Sequence, residues 1–540
     1  MKWLVPVPRS LDSHADDSTS ESCEERVLFA ACFLLLASRH FSKTRGTRTT
    51  NDWSFLAFLA MNAAAPHQES LQERLLDQDV IVEEALNEAS VVQGEKQPNR
   101  LRDWPAALLF LAHQILLVRY AILHGFPSFT LEYDDHTEVS FGGLWKLGLW
   151  IVFIASGASL LLVAILGFLI DHYLVEFAIF LSLLLNGVLI YIATLLHAWT
   201  GLGLGILAVL LGACYVKLIW YRIAFAKANL QTAGTALKSN PGLLLISYGF
   251  IVVLVLWLFF WMAAAVGLYA QSATCDVNVC ESHLSGAWIL LLFLSLYWTV
   301  SVVMNTLHAT VAGIVGTWWF APEEARGCWA PALSDSLVRA TTYSFGSICL
   351  GSLVTAVLQV AHQAVHGMRR HGRHSALLLC VVECLIGVLE RAVAYFNKWA
   401  YVYVGLYGYT YLEAGRKVTT LFMDRGWTTI INDSLVSRVL SILALFLALL
   451  TGCLGYMIGT YKPSWVEEFG PEVGAGVAFL WSFVIGLGMA SVLMSTIASA
   501  VDTVVVAMAE APLEFERNHP GLYTSMIAAW RQVYPDDMGL

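Results

Sequence analysis

The stretch WILLLFLSLYWTVSVVMNTLHATVAG, from Trp288 to Gly313, decides the fold class of this chain. It contains no Asp, Glu, Lys or Arg, and its apolar residues run without the alternation typical of a half-buried strand. An α-helix needs about 20 apolar residues to cross a bilayer, because each residue advances it by only about 1.5 Å. The stretch therefore predicts a membrane-spanning helix.

The composition of the whole chain agrees with a membrane protein. Of its 540 residues, 57% are hydrophobic and 13% are charged, and the mean hydropathy is +0.64. Soluble globular domains carry about 25% charged residues, so this chain is depleted in charge. The net charge of -10 is a poor match for the phosphates of nucleic acid, and we expect no nucleic-acid partner.

Hydrophobic blocks of spanning length repeat from residue 104 onward, separated by short polar breaks. They lie at 104–124, 144–170, 173–196, 200–224, 243–270, 286–315, 340–362, 376–396, 435–460 and 474–503. Continuous apolar runs are typical of spanning helices, whereas the strands of a membrane barrel alternate apolar and polar residues. The pattern predicts an all-α polytopic membrane protein with about ten transmembrane helices within residues 101–510.

The two ends of the chain differ from this central domain. The N-terminus lacks the basic and then apolar pattern of a secretory signal peptide. Its Ser, Asp and Glu content up to about Arg26 is typical of disorder, and the apolar run from Val27 to Ala37 is too short to span a bilayer. We expect a largely disordered tail over residues 1–100 and a second tail over residues 511–540.

The Lys and Arg bias of the loops predicts the orientation. Basic residues at 96–102 precede the first block and place the N-terminus in the cytosol, and an even number of spans returns the C-terminus there. The loop that contains Cys275 and Cys280 has acidic residues but no Lys or Arg, so we expect it outside, where a disulfide between them would persist. The basic stretch HGMRRHGRH, at 366–374, also falls outside in this count, against the rule.

Several segments resemble a known family, in the same order along the chain. They are RDWPAALLFLAHQ (102–114), NTLHATVAGIVGTWWFAP (305–322), YSFGSICLGSLVTAVLQ (343–359), FNKWAYVYVGLYGYTYLEAGRKVTTLFMDRGWTTIINDSL (396–435) and FERNHPGLY (515–523). They resemble the choline transporter-like protein family (solute carrier 44 type), and within it the yeast-type pH-nine-sensitive branch. The resemblance covers about residues 100–530. It implies ten spanning helices, cytosolic termini and transport at the plasma membrane.

A choline carrier must bind a quaternary ammonium group, which aromatic rings attract by roughly 0.5–2 kcal/mol per ring. Polar and aromatic residues interrupt the apolar stretch from Trp288 to Gly313. Such residues face either a cavity or another helix, so helix packing is the alternative to substrate binding for each of them. The main candidates are Tyr297, Trp298, Asn305 and His308, and the weaker ones are Trp257, Tyr248 and Tyr343, with His113 and Gln114 polar at mid-span depth in the first block.

Tyrosines recur every four residues at Tyr403, Tyr407 and Tyr411 and would form one stripe on a continuous helix. Lys398 and Lys417 flank them and can extend to lipid headgroups while the rings lie at the membrane boundary. The pattern predicts an in-plane or re-entrant cytosolic segment that braces the neighbouring helices or forms an inner gate. A direct substrate site is the alternative.

Catalytic signatures are absent from the sequence. It contains no Walker A motif, no HExxH and no GxSxG, so we expect neither an enzyme nor a cofactor. His366, His371 and His374 lie among arginines without nearby acidic residues, which indicates a solvated basic loop rather than a metal site.

The sequence therefore predicts a plasma-membrane carrier for choline or a related cationic amine, with that substrate and membrane lipids as its partners. One alternative is a carrier or channel of the same fold for ethanolamine or another small solute. The other is a membrane scaffold that transports nothing.

Overall fold

Helices account for nearly all of the described chain. The computed structural model describes residues 95–128, 142–169, 173–195, 199–276, 279–282, 285–370, 376–427, 435–466 and 473–535. The first helices are α1 (Trp104–Tyr120), α2 (Gly142–Leu169), α3 (Leu174–Leu195), α4 (Trp199–Ile219), α5 (Ile223–Ser239) and α6 (Gly242–Ser272). A short hairpin of β1 (Ala273–Asp276) and β2 (Val279–Ser282) follows α6.

The remaining described elements are again helical. They are α7 (Gly286–Phe320), α8 (Pro331–Val338), α9 (Phe345–Arg370), α10 (Ala376–Tyr407), α11 (Tyr411–Asp424), α12 (Leu435–Tyr461), α13 (Gly474–Glu510), α14 (Pro512–Asn518) and α15 (Pro520–Val533). Single π-helical turns continue α1 from Ala121 to Gly125 and α8 from Arg339 to Tyr343.

Six of the described helices are long and apolar enough to cross a membrane. They are Trp104–Ser128, α6, α7, Phe345–Met368, α12 and α13. Shorter apolar stretches also occur in α2, α3 and α4. Large apolar side chains on these spans face outward, as they do in a protein whose solvent is lipid; Phe153 and Ile115 are 74% and 67% exposed. The prediction of an all-helical polytopic membrane protein is confirmed.

Two units divide the chain: one holds residues 92–374 and 382–540, the other residues 2–91 and 375–381. The tail predicted over residues 1–100 lies outside the described residues up to residue 94.

The core of the first unit forms where small residues let helices approach closely. On α12, a Cβ added to Gly455 would collide with Ser482 of α13, and on α13 one added to Gly486 would collide with Thr451 of α12. Between helices in a membrane, such close contact replaces the hydrophobic driving force that water supplies elsewhere. The α12–α13 pair, with α7 against α13 and α9 against α7, forms this core.

Helix ends depart from the sequence prediction where buried contacts extend or interrupt a helix. The block predicted at 200–224 ends at Ile219, and a 3-10 turn leads into α5. The face of α5 that carries Leu230 and Ala233 is fully buried, and the helix packs against α13 and α15. The block predicted at 340–362 begins as α9 only at Phe345, because a π-helical turn ending at Tyr343 precedes it.

The end of α7 is covered by the C-terminal helices. Trp318 stacks on His519 with ring centroids 4.0 Å apart, and Trp319 stacks on Phe515 of α14 at the same distance. The indole of Trp319 also donates to the carbonyl of Ala511, 3.0 Å away. These contacts carry α7 to Phe320, five residues beyond the predicted end of the block at 315.

Candidate substrate site

A chain of hydrogen bonds joins α1, α6 and α7 at mid-span depth. Trp257 of α6 donates from its indole to Gln114 Oε1, 2.6 Å away. The Gln114 amide then donates to Thr299 Oγ1 at 2.8 Å and lies 3.1 Å from His113 Nδ1. Because His113 Nδ1 accepts, its Nε2 carries the proton and donates to Ser295 Oγ, 2.9 Å away. The chain fixes the position of His113 on α1 against α7.

Trp298 packs beside this chain and is 5% exposed. Its ring stacks on His113 with centroids 5.3 Å apart and makes an edge contact with Phe110 at 5.2 Å. Its indole donates to the carbonyl of Cys349 on α9, 3.1 Å away. One edge of Trp298 is therefore tied to α9, and one ring face is covered by His113.

A cavity of about 610 Å³ opens above these residues, between α1, α6 and α7. His113, Ser295 and Trp298 lie at the end of the cavity nearest the middle of α7, and Gln271, Ser272 and Ser285 lie toward the hairpin. Apolar side chains supply most of the wall. Its lining is His113, Leu116, Leu117, Tyr120, Ala264, Leu268, Gln271, Ser272, Ser285, Trp288, Leu291, Leu292, Leu294, Ser295 and Trp298.

Polar contacts continue along α7 beyond the cavity. Asn305, two turns after Trp298, donates to Ser352 Oγ of α9 at 2.9 Å. His308 Nδ1 lies 3.0 Å from Ser499 Oγ of α13, and its ring centroid is 6.4 Å from that of the fully buried Tyr401. Both predicted candidates thus bond to neighbouring helices and lie outside the cavity lining.

An ion pair joins α10 to α13. Lys398 Nζ of α10 is 2.9 Å from Asp502 Oδ1 of α13, and the ammonium also sits over the Trp399 ring, 4.3 Å from its centroid. Asp502 is 8% exposed and lies two turns before the end of α13 at Glu510. Because the pair neutralises Lys398 inside the protein, α10 can continue past the predicted end of its block at residue 396.

The tyrosine stripe is broken in the structure. Helix α10 carries Tyr403 and Tyr407, whose rings meet edge to face with centroids 5.3 Å apart. The helix ends at Tyr407, Gly408 follows with a φ of 78° that favours glycine, and Tyr411 begins α11. All three tyrosines are less than 9% exposed. The predicted single stripe on one helix is therefore wrong, because the turn at Gly408 sends Tyr411 onto a different helix. The in-plane cytosolic segment or inner gate stays a prediction.

Tyr411 instead closes the packing between α9, α10 and α11. Its hydroxyl donates to Asn397 Oδ1, and the Asn397 amide donates to Thr355 Oγ1 of α9 at 2.8 Å. Burial raises the pKa of Tyr411 to about 12, so its hydroxyl stays protonated as a donor. Its ring also lies 6.0 Å from that of Tyr401, measured between centroids.

The other candidates are distributed over the bundle. The hydroxyl of Tyr248 lies 2.6 Å from Ser159 Oγ of α2. Tyr343 sits in the π-helical turn before α9, and Tyr297 stacks on Phe293 with centroids 6.0 Å apart. None of these three lines the cavity, and Trp257 reaches it only through Gln114 and His113. Of the seven main and weaker candidates, the cavity brings in Trp298 alone, together with His113, which the sequence marks as polar at mid-span depth.

Sequence reasoning missed most of the lining. Ser295 lies one turn before Trp298 and Thr299 on α7, so helical spacing alone would have placed it beside them. Tyr120, Gln271 and Trp288 lie at helix ends, where aromatic and polar residues normally contact the membrane interface, and no pattern distinguishes them there.

The loop that contains Cys275 and Cys280 forms the β1–β2 hairpin. Its antiparallel register sets Cys275 directly opposite Cys280. Directly opposed residues have Cα atoms about 4.5–5.5 Å apart, within the range that a disulfide bridges. The predicted disulfide remains a prediction that this backbone register accommodates.

Together these features define a polytopic helical membrane protein with a mostly apolar cavity between three spans and buried polar contacts beyond it. Comparison of the sequence with protein families gives the particular family. The family described as plasma-membrane choline transporter matches residues 203–513, more than half of the chain, and this protein belongs to it. The resemblance found in the sequence motifs is thereby confirmed.

The relatives belong to the predicted yeast-type branch. Protein PNS1 of Gibberella zeae is 31% identical over 325 residues, which cover 58% of this chain and 59% of that protein. Protein PNS1 of Cryptococcus neoformans is 30% identical over 421 residues, or 76% of this chain and 73% of that protein. Protein PNS1 of Saccharomyces cerevisiae is 25% identical over 482 residues, or 84% and 87%. The match to the Gibberella zeae protein thus spans about three fifths of its length.

Proposed function

We propose that this protein carries choline or a related cationic amine across the membrane through the cavity between α1, α6 and α7. Membership of a transporter family supports membrane transport. The observation that carries the substrate proposal is the lining, which places aromatic rings beside a few polar groups in a volume of about 610 Å³. Pockets for small ligands typically measure about 300–1,000 Å³ and are mostly apolar with a few placed polar groups.

The lining suits a cation that cannot donate hydrogen bonds from its ammonium. None of the lining residues is Asp, Glu, Lys or Arg, so the binding of a positive charge falls to the rings. Trp298 lies at the inner end of the cavity, which is the end nearest the middle of α7, and Tyr120 and Trp288 are nearer the hairpin. Each ring face contributes roughly 0.5–2 kcal/mol to binding a quaternary ammonium, more where water is excluded. Ser295 and His113 offer partners for a substrate hydroxyl at the same end.

The buried polar contacts beyond the cavity fit a closed passage. Asn305 and His308 bond to α9 and α13, and Tyr401 and Tyr411 fill the space between α9 and α10. For the substrate to pass, these helices must separate along α7 while the cavity closes at its other end. Inward-negative membrane potential would drive a monovalent cation with about 2.3 kcal/mol per 100 mV.

Choline binding to Trp298 variants tests this proposal. Replacing Trp298→Ala removes the ring at the inner end and should weaken choline binding by about 1–2 kcal/mol, or roughly five- to thirty-fold. The variant Trp298→Phe keeps an aromatic face and should lose less. The control is Trp329→Ala, because Trp329 is 74% exposed and outside the cavity. Binding isotherms on purified protein, with uptake of labelled choline into proteoliposomes, give both readouts.

The outcomes separate the proposal from its alternatives. Equal choline affinity in wild type and Trp298→Ala, with both monodisperse, would place the site elsewhere. Uptake that does not saturate with choline concentration would indicate a channel, and preferential competition by ethanolamine would indicate the related carrier. A folded, reconstituted protein that moves neither compound would support the scaffold.

A further inference from the structure

Two histidines near the end of α9 face each other. His362 and His366 are four residues apart, so they lie one above the other on the same side of the helix. Their rings stack with centroids 4.8 Å apart, and their two Nε2 atoms are 3.2 Å apart. Both side chains are partly exposed, at 31% and 43%.

Two carboxylates of α10 meet these histidines. Glu383 Oε1 lies 3.0 Å from His366 Nε2, and Glu390 Oε2 lies 3.2 Å from His362 Nδ1. Both glutamates are less exposed than His366, at 15% and 30%. Glu383 and Glu390 are seven residues apart, two turns of α10, and so lie on the same side of that helix. Two antiparallel helices therefore bring two imidazoles and two carboxylates together.

Hydrogen bonds alone account poorly for this arrangement. A neutral imidazole has one N–H, and His366 Nε2 faces two acceptors, the carboxylate of Glu383 and the ring nitrogen of His362. A single proton on His366 Nε2 serves one of them well. If His362 Nδ1 carries the proton and donates it to the Glu390 carboxylate, then His362 Nε2 carries a lone pair. That lone pair is one of the two acceptors beside His366 Nε2.

Two of the three distances among these ligand atoms match the geometry of a metal site. His362, His366 and Glu383 each offer one possible ligand atom, and these three atoms all lie within 4.8 Å of one another. In a tetrahedral zinc site with bonds of about 2.0–2.2 Å, neighbouring ligand atoms are about 3.3 Å apart. The distances of 3.2 Å between the two Nε2 atoms and 3.0 Å from His366 Nε2 to Glu383 are close to that value, and the third, between His362 and Glu383, is within 4.8 Å.

We propose that His362, His366 and Glu383 form a Zn²⁺ site between α9 and α10, with Glu390 orienting the His362 ring. Two imidazoles and a carboxylate are ligands that zinc accepts, and three protein ligands leave a fourth position for water. A carboxylate on the other ring nitrogen of a histidine ligand fixes its tautomer and increases its basicity, and Glu390 is placed to do so.

The proposed site gives His366 a different role from the one that the sequence indicated, which was part of a solvated basic loop. That interpretation grouped His366 with His371 and His374 and found no acidic partner nearby in sequence. The partner comes from the next helix, seventeen positions after His366, and only the pairing of α9 with α10 brings it close.

Zinc binding to the full-length protein tests the proposal. The purified protein in detergent is stripped with a chelator, dialysed against graded Zn²⁺, and its bound zinc is measured by mass spectrometry of the metal. We expect about one Zn²⁺ per chain for wild type, and at least ten-fold weaker binding for His366→Gln and Glu383→Gln. Glu390→Gln should weaken binding by about ten-fold, the usual effect of removing a carboxylate that orients a histidine ligand.

The matched control is the double variant His371→Gln/His374→Gln, which removes the neighbouring histidines and should bind zinc as wild type does. Thermal unfolding is the second readout: Zn²⁺ should raise the Tm of wild type and of the control but not that of Glu383→Gln. The substitution Glu383→Gln keeps the side-chain size, so the same elution profile as wild type would show that it folds. Wild type that binds no zinc, or zinc lost in the control and retained in Glu383→Gln, would overturn the site.

Discussion

Asp103 has the only left-handed backbone among the described residues other than glycine, with φ 46° and ψ 37°. A non-glycine residue in this conformation costs of order 1–2 kcal/mol and persists where other contacts compensate. Here the compensation is visible. The carboxylate accepts from Ser347 Oγ at 2.6 Å and from the backbone N–H of Tyr411 at 3.2 Å. One side chain thus ties the start of α1 to α9 and α11.

Replacing Asp103→Ala should therefore destabilise the protein by about 2 kcal/mol, because it removes both bonds and keeps the strained backbone. Asp103→Asn retains an oxygen acceptor and tolerates the left-handed region, so it should remain within about 1 kcal/mol of wild type. Thermal unfolding in one detergent compares the three proteins. Equal loss in both variants would show that the charge itself, rather than the accepting oxygen, stabilises this junction.

Single residues were predictable from sequence as polar positions in a span, but their partners were not. The pattern identified Trp298, Asn305 and His308 as unusual for a span. Whether such a residue faces a cavity or another helix depends on the residue opposite. The partner of Asn305, Ser352, lies 47 positions away in sequence, and the partner of His308, Ser499, lies 191 positions away. Trp298 differs from Asn305 because it lines the cavity that α1 and α6 form with α7, and no sequence pattern shows that packing.

At the scale of elements, α10 crosses α7 where glycine permits contact between the two backbones. A Cβ added to Gly405 would collide with the backbone oxygen of Ala309, and one added to Gly316 would collide with the side chain of Leu406. Gly313 lies in the same contact and faces Ser336 of α8. The small-residue pair at 313 and 316 thus marks a close helix approach.

Gly405→Ala should destabilise the protein by about 1–3 kcal/mol, the usual effect of overpacking, because a backbone oxygen cannot move aside as a side chain can. The control is Gly249→Ala on α6, where an added Cβ meets nothing within 4 Å. That change should leave stability unchanged or raise it by up to about 1 kcal/mol, because alanine favours helix more than glycine does. Thermal unfolding of both variants measures the contrast. Similar losses at 405 and 249 would mean that the helix crossing is looser than the structure shows.

Hydropathy located most helices because a span must be apolar over a fixed length, which sequence alone displays. It failed where buried contacts neutralise polar residues. Helix α10 passes residue 396 because Lys398 pairs with Asp502, which belongs to a helix about a hundred positions later. The tyrosines do recur every four residues, but the turn at Gly408 lies between Tyr407 and Tyr411, so they do not share one helix.

At the scale of the whole molecule, the family match ends at residue 513, yet the protein continues to pack beyond it. Phe515 and Trp530 are 0% exposed, and the Trp530 indole donates to Asn229 Oδ1 of α5 at 3.1 Å. Burial lowers the pKa of His519, which suits its stack against Trp318 as a neutral ring. The segment after the last span is therefore part of the folded unit.

The two ends of the chain should consequently respond differently to truncation. Deleting residues 1–90 should leave a monodisperse protein in detergent, because the composition at this end is typical of disorder and the family resemblance begins near residue 100. The cut must stop there, since the backbone N–H groups of Glu95 and Gln97 donate to Tyr409 and Tyr407. Deleting residues 512–540 should instead cause aggregation, because it uncovers Trp319 and the buried face of α5. Size-exclusion chromatography of both truncations beside wild type decides the matter. An aggregated N-terminal truncation would show that the first ninety residues pack on the bundle, and a monodisperse C-terminal truncation would show that α14 and α15 are not needed to cover it.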